Sequence, residues 1–182
     1  ANLVTKASVS TGYRLPSFNE MYYLNYGNQN LRPERSITYN LGFDYDPPKF
    51  GKLGLNLFYT NTKDQIAAVP TGPITWQSQN IDKVNSQGIE FFSILKPIEG
   101  LNIVYNYIYQ QPLIKSGVDE TEKVLLPYTP EEIVSALATY DFSDVQVGAS
   151  VQRKSYIFTT IDNDMGLIID DYTLLDVFAS YK

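Results

Sequence analysis

Ser36-Ile-Thr-Tyr-Asn-Leu-Gly-Phe-Asp-Tyr-Asp46 alternates without a break. Ile37, Tyr39, Leu41, Phe43 and Tyr45 fall on one face of an extended chain, with Thr38, Asn40, Gly42 and Asp44 on the other. Successive strand side chains point to opposite sides, so this period of two predicts a β-strand. Residues 52–62 repeat it, with Leu53, Leu55, Leu57 and Tyr59 against Gly54, Asn56, Thr60 and Thr62. Residues 101–110 set Leu101, Ile103, Tyr105, Tyr107 and Tyr109 opposite Asn102, Asn106 and Gln110. Weaker versions occupy residues 3–11, 88–96, 134–142, 145–153 and 173–182. No helical periodicity runs to useful length, so the expected fold is all-β, with about eight antiparallel strands in up-and-down order.

The connections alternate in length. Three links are short: Pro47-Pro48-Lys49-Phe50-Gly51, Pro97-Ile98-Glu99-Gly100 and Ser143-Asp144. The others, after the first, third, fifth and seventh strands, are long and rich in Pro, Asp, Asn and Gly. Long loops at one end and tight turns at the other mark a transmembrane β-barrel. With the apolar faces pointing outward, Arg153 is the one charge set among them. Lys6, Asp44, Glu90, Lys96, Asp141 and Asp176 share the opposite face, which suits a polar lumen. A cation facing lipid at mid-bilayer costs roughly 2–4 kcal/mol, enough to keep it off that face. Phe43, Tyr45, Tyr140, Phe142 and Tyr181 gather near the short turns, and Tyr59, Tyr107 and Tyr109 nearer the long loops, as interfacial girdles do. A soluble β-sandwich with these faces as its core is the alternative, and it requires Leu55 and Tyr105 to be buried.

Composition narrows the chemistry. The 182 residues contain no cysteine and no histidine. Disulfides, thiolate metal sites and the usual general base are therefore missing, and neither an enzyme nor a metal or cofactor site is expected. A net charge of −6 argues against nucleic acid as a partner. The chain shows no signal peptide at Ala1 and ends on Lys182 within a strand-like run, so it reads as a piece of a larger protein.

The first long connection is the most distinctive. It contains Tyr13-Arg14-Leu15-Pro16, then Glu20-Met21-Tyr22, then Asn28-Gln29-Asn30-Leu31-Arg32-Pro33-Glu34. Arg14, Pro16, Pro33 and Glu34 read as loop architecture, because Pro fixes φ and ends strand pairing. Tyr22, Tyr23, Asn25 and Tyr26 are better placed for ligand contact, since they can combine stacking with hydrogen bonding at an exposed mouth. Trp76, the sole tryptophan, is expected in another long loop and is a further candidate. Arg32 and Arg35 are candidates for attracting an anionic ligand.

These boxes resemble those of TonB-dependent outer-membrane receptors, with Leu15 where that family usually has Ala and Gln29 where it usually has Pro. The resemblance continues through "SITYNLGFDY", "NTKDQIAAV", "NIDKVNSQGIEFFSILKP" and "YTPEEIVSALATYDF" in the family's order, with Gly88, Ile89 and Glu90 at its Gly-Val/Ile-Glu positions. It implies that residues 1–182 are strands from the C-terminal part of a 22-stranded barrel, without its plug. Tyr13, Arg14, Pro16, Glu20, Asn30, Leu31, Pro33, Glu34, Gly88 and Glu90 would be family scaffold. The implied activity is energy-coupled import across the outer membrane of a Gram-negative bacterium. The ligand would be a scarce nutrient, chiefly a ferric siderophore, and the partners outer-membrane lipid and TonB. Haem is disfavoured, because the family's haem receptors usually carry a ligating His between the boxes and this chain has none. A passive channel or adhesion barrel and a soluble carbohydrate-binding sandwich are the competing functions.

Overall fold

The computed structural model describes residues 2–48, 50–72, 74–115 and 123–181. Pro73 and Lys182 lie outside them. Eight long strands form one antiparallel sheet in sequence order: β1 (Asn2–Arg14), β2 (Glu34–Asp46), β3 (Gly51–Gly72), β4 (Thr75–Leu95), β5 (Leu101–Ile114), β7 (Glu132–Phe142), β8 (Val145–Lys154) and β11 (Tyr172–Tyr181). A two-residue strand β6 (Val124–Leu125) adds to the top of β5, and β9 (Ile157–Phe158) pairs with β10 (Ile168–Ile169) inside the last long connection. The sheet is not closed, since β1 and β11 are its two edges.

Register confirms the two faces. Leu41 lies opposite Ala7 and Leu57, and Leu57 opposite Ile89. On the other face Asn40 lies opposite Ser8, and Asn56 opposite Gly42 and Glu90. Exposure is inverted relative to a water-soluble protein. Tyr39 is 50% exposed, whereas Thr38 and Asn40 beside it are half-buried. Leu55 is 37% exposed, so the sandwich, which needs it in a core, is overturned. The sheet curls around its polar side chains and turns its apolar ones outward, as a barrel wall does.

The polar face is sewn together by side chains. Lys6 pairs with Asp44, Asn56 donates to Glu90 at 3.1 Å, and Gln146 donates to Asp141 at 3.0 Å. Gly88, the glycine of the Gly-Ile-Glu run, sits opposite Phe58, whose ring lies across it. A Cβ at Gly88 would stand 2.2 Å from the Tyr109 carbonyl oxygen and 2.7 Å from that ring. The glycine is therefore a seat for a cross-strand aromatic.

The three short links fall at one end and the long connections at the other. One expectation fails here. The third connection is no loop: β3 and β4 pair almost continuously from Gly51↔Leu95 to Gly72↔Thr75, far beyond the residues 52–62 and 88–96 expected. Above the apolar band both faces of this hairpin meet water or loops, so its side chains need not alternate. Backbone pairing carries it upward. Lys96 lies just past β4. A one-turn helix, α1 (Phe18–Tyr22), also occurs within the first long connection.

Loops dock on this hairpin. Ile81, Val84 and Ile114 are buried, with Ala67, Val124, Leu126 and Ile161 packed against them. Asn163 bonds the backbone of Leu125 both ways, its carbonyl accepting from Leu125 N at 2.6 Å and its amide donating to Leu125 O at 2.9 Å.

Candidate binding site at the loop end

Arg14 ends β1 and reaches two carboxylates. Its Nη1 meets the Glu20 oxygens at 3.0 and 3.1 Å, and its Nη2 meets Glu34 Oε1 at 2.5 Å. Glu34 is 9% exposed, and the same oxygen accepts from Gln65 Nε2 at 3.2 Å and from the backbone N–H of Ile66 at 2.8 Å. Glu20 also closes a capping box on α1, accepting from Ser17 N while Ser17 Oγ accepts from Glu20 N. Burial pushes the Glu20 carboxyl up. The Arg14 bond and the Ser17 backbone and hydroxyl bonds outweigh that and hold it below the usual carboxylate range. Pro16 leads into the cap, and Tyr13 lies opposite Arg35 on the apolar face.

The second box is clamped to the hairpin. Asn28 donates to the Ser78 carbonyl at 3.1 Å and accepts from Asn30 N at 3.0 Å, forming an Asx turn. Asn80 accepts from Arg32 N and donates to the carbonyls of Arg32 and Asp64. The Arg32 guanidinium pairs with Asp64 at 2.6 Å, and Leu31 is buried. Pro33 leads directly into Glu34. Gly27 has no room for a side chain, since a Cβ there would stand 2.7 Å from the backbone of Met21 and Tyr22. Both boxes thus hold the first long connection against β3 and β4.

What they hold out is a cleft of about 550 Å³ lined by Asn19, Tyr23, Asn25, Tyr26, Ile74, Thr75 and Trp76. That volume suits a small molecule. Tyr26 and Trp76 are half-buried, while Tyr23 and Ile74 are 64% and 89% exposed. The Tyr26 carbonyl accepts from Ser78 N at 2.9 Å, fixing the loop beside Trp76. Asn25 takes a φ of 63°, the left-handed conformation that turns the loop back. Tyr26 also borders a second cleft, of about 450 Å³, shared with Gln65, Ile66, Leu126 and Tyr128.

Four predicted contact residues, Tyr23, Asn25, Tyr26 and Trp76, therefore come together. Trp76 does so from β4, opposite Pro70, and not from a loop. Tyr22 does not line the cleft; its ring packs against Phe18, tilted by 40° with centroids 4.9 Å apart. Arg32 is engaged by Asp64, and Arg35 points to the apolar face in the row of Tyr13 and Lys63. Glu90 lies far down the wall beside Asn56. Sequence reasoning misses Asn19, Ile74 and Thr75. Asn19 lies within the first motif run, and Ile74 and Thr75 flank the tip of a hairpin whose strands carry no alternation.

The family model described as TonB dependent receptor-like, beta-barrel matches residues 1–182. The vitamin B12 transporter BtuB of Vibrio vulnificus is 30% identical over 177 residues, covering 97% of this chain and 27% of that protein. The ferrioxamine receptor of Yersinia enterocolitica is 28% identical over 150 residues, covering 80% of this chain and 20% of that protein. The chain thus spans about a quarter or less of the length of these relatives. Among solved structures, the copper transporter OprC aligns with a TM-score of 0.77 at 13% identity, covering 99% of this chain and 29% of that one. The ferric-catecholate import receptor Fiu of E. coli aligns with a TM-score of 0.72 at 21% identity, covering all of this chain and 27% of that one. An apolar outward face, a polar inner face, long loops at one end and a match along its whole length agree: this chain belongs to the TonB-dependent receptor β-barrel family.

Proposed function

We propose that this chain forms part of an outer-membrane receptor that captures a scarce nutrient at its loop end for TonB-driven import. The cleft between Tyr23, Asn25, Tyr26 and Trp76 would be a contact point for that nutrient. The observation that carries this reading is the cleft itself: aromatic, neutral and built by loop clamps on a barrel wall. The named relatives, a vitamin B12 transporter and a ferrioxamine receptor, support the reading.

A ferric siderophore is the favoured ligand. No described side chain lining the cleft is charged, and the Arg32 guanidinium is engaged by Asp64. Neutral walls favour a ferric trihydroxamate, which is uncharged around its metal, over a ferric tris-catecholate, which carries several negative charges. The relationship to a ferrioxamine receptor supports the same class. A corrinoid is the second reading, favoured by the relative named a vitamin B12 transporter.

Calorimetry on the full-length receptor tests both. A ferric trihydroxamate, a ferric tris-catecholate and cyanocobalamin would be titrated in turn. Binding of the trihydroxamate, weakened about tenfold or more by Tyr26→Ala and Trp76→Ala, is expected, as for buried aromatic contacts. Binding of cyanocobalamin alone would establish the second reading. Binding indifferent to both substitutions would remove the cleft from the site.

A further inference from the structure

Four cations stand side by side on the apolar face at its loop end. Arg35 of β2 lies opposite Lys63 of β3, and Lys63 lies opposite Lys83 of β4. Lys115 N donates to the Lys83 carbonyl at 2.9 Å, extending the β4–β5 register by one more residue. At about 4.8 Å between strands, the row is roughly 15 Å long. All four residues are exposed, and among the described residues no carboxylate forms an ion pair with any of them. Like charges directly opposite one another destabilise a sheet. Four in succession, with no described carboxylate paired to them, make a site that attracts an anion.

The height of the row indicates which anion. From Tyr45 to Arg35 the strand climbs roughly 26 Å, at about 3.4 Å per residue and a tilt of about 40°. That matches an apolar band about 25 Å tall. Directly below come Ile37, Asn61, Asn85 and Leu113, and then Tyr39, Tyr59, Gln87 and Gln111. The side chains thus pass from apolar, through two rows that mix phenol, amide and aliphatic groups, to cationic where a bilayer passes from hydrocarbon to headgroup.

We propose that Arg35, Lys63, Lys83 and Lys115 form a binding site for the phosphate groups of outer-leaflet lipids, specifically phosphorylated glycolipid headgroups. The row faces away from the cleft and toward the lipid, so a soluble anionic nutrient has no path from it to the lumen. The inference rests on the outer-membrane placement proposed above and is independent of which nutrient is carried.

The test uses the full-length receptor in phosphatidylcholine vesicles doped with bis-phosphorylated lipid A or with its dephosphorylated form. Lipid retained after extraction is read by native mass spectrometry. Wild-type receptor is expected to retain the phosphorylated form, and the R35Q/K63Q/K83Q/K115Q variant to lose at least about tenfold of it. Arg153→Gln, on the same face but paired with Asp171 at 3.0 Å, serves as the charge control and should retain the lipid. Heat-dependent migration on gels shows that each variant is folded. Equal retention by wild type and the quadruple variant, or equal retention of the dephosphorylated lipid, overturns the proposal. A receptor that enters no bilayer overturns the membrane placement along with it.

Discussion

Glu34 accepts the backbone N–H of Ile66 at 2.8 Å through the same oxygen that holds Arg14. One carboxylate at the top of β2 thereby ties the end of β1 to the rising part of β3. Glu34→Ala strands a buried backbone donor and takes from Arg14 one of its two carboxylate partners. The expected cost is about 1–3 kcal/mol of local stability. Hydrogen exchange at the Ile66 amide should quicken about tenfold or more, with Glu34→Gln intermediate. An unchanged rate would show that the bond contributes nothing.

The first long connection should loosen in acid. The folded carboxyl of Glu20 lies below its ordinary value of 4.5, so the unfolded loop binds the proton more readily than the folded one. Its stabilising contribution is fully present above about pH 4.5 and is lost as pH falls through the folded value. Limited proteolysis of the full receptor between Ser17 and Leu31 should therefore accelerate below that pH. Glu20→Gln should flatten the profile; a wild-type profile already flat down to pH 3 contradicts the assignment.

Which face meets lipid can be measured by charge insertion. Leu57, between Leu41 and Ile89 on the apolar face, should tolerate arginine poorly, at about 2–4 kcal/mol in bilayer folding titrations. Arginine at Asn56, beside Glu90 on the other face, should cost much less. Equal costs would mean the faces are wrongly assigned.

Gly88→Val should destabilise the wall. The new Cβ collides with the Tyr109 carbonyl and displaces the Phe58 ring, an overpacking worth about 1–3 kcal/mol. Urea-dependent unfolding of the full receptor reads it, and a stable Gly88→Val barrel would mean that Phe58 turns aside freely.

The wall is legible in the sequence because lipid demands it. Ile37, Tyr39, Leu41 and Phe43 alternate with polar residues only because one face must dissolve in hydrocarbon. The same physics hides the upper halves of β3 and β4. There the apolar residues Ile66, Ile81 and Val84 do not alternate regularly with polar ones, and Lys63, Asn85 and Gln87 look like loop. Tyr23, Asn25 and Tyr26 stand out between two recognisable boxes, and Trp76 stands out as the sole tryptophan. The engagement of Arg32 by Asp64 and of Glu34 by Ile66 cannot be read locally, since each joins residues brought together only by the β2–β3 register. Arg35 shares parity with Ile37, so its outward direction is written in the alternation even though it adjoins the loop motif.

The β3–β4 hairpin gives the two sides of the cleft different mechanical characters. Trp76 rides on a beam whose ladder runs almost continuously into the barrel wall, whereas Tyr23 and Tyr26 ride on a loop pinned to that beam at a few points such as Ser78 and Asn80. A ligand settling between them would meet one jaw built of sheet and one built of loop. Any force on that loop would pass through Asn28 and Arg32, and through Pro33 to the strand that carries Glu34.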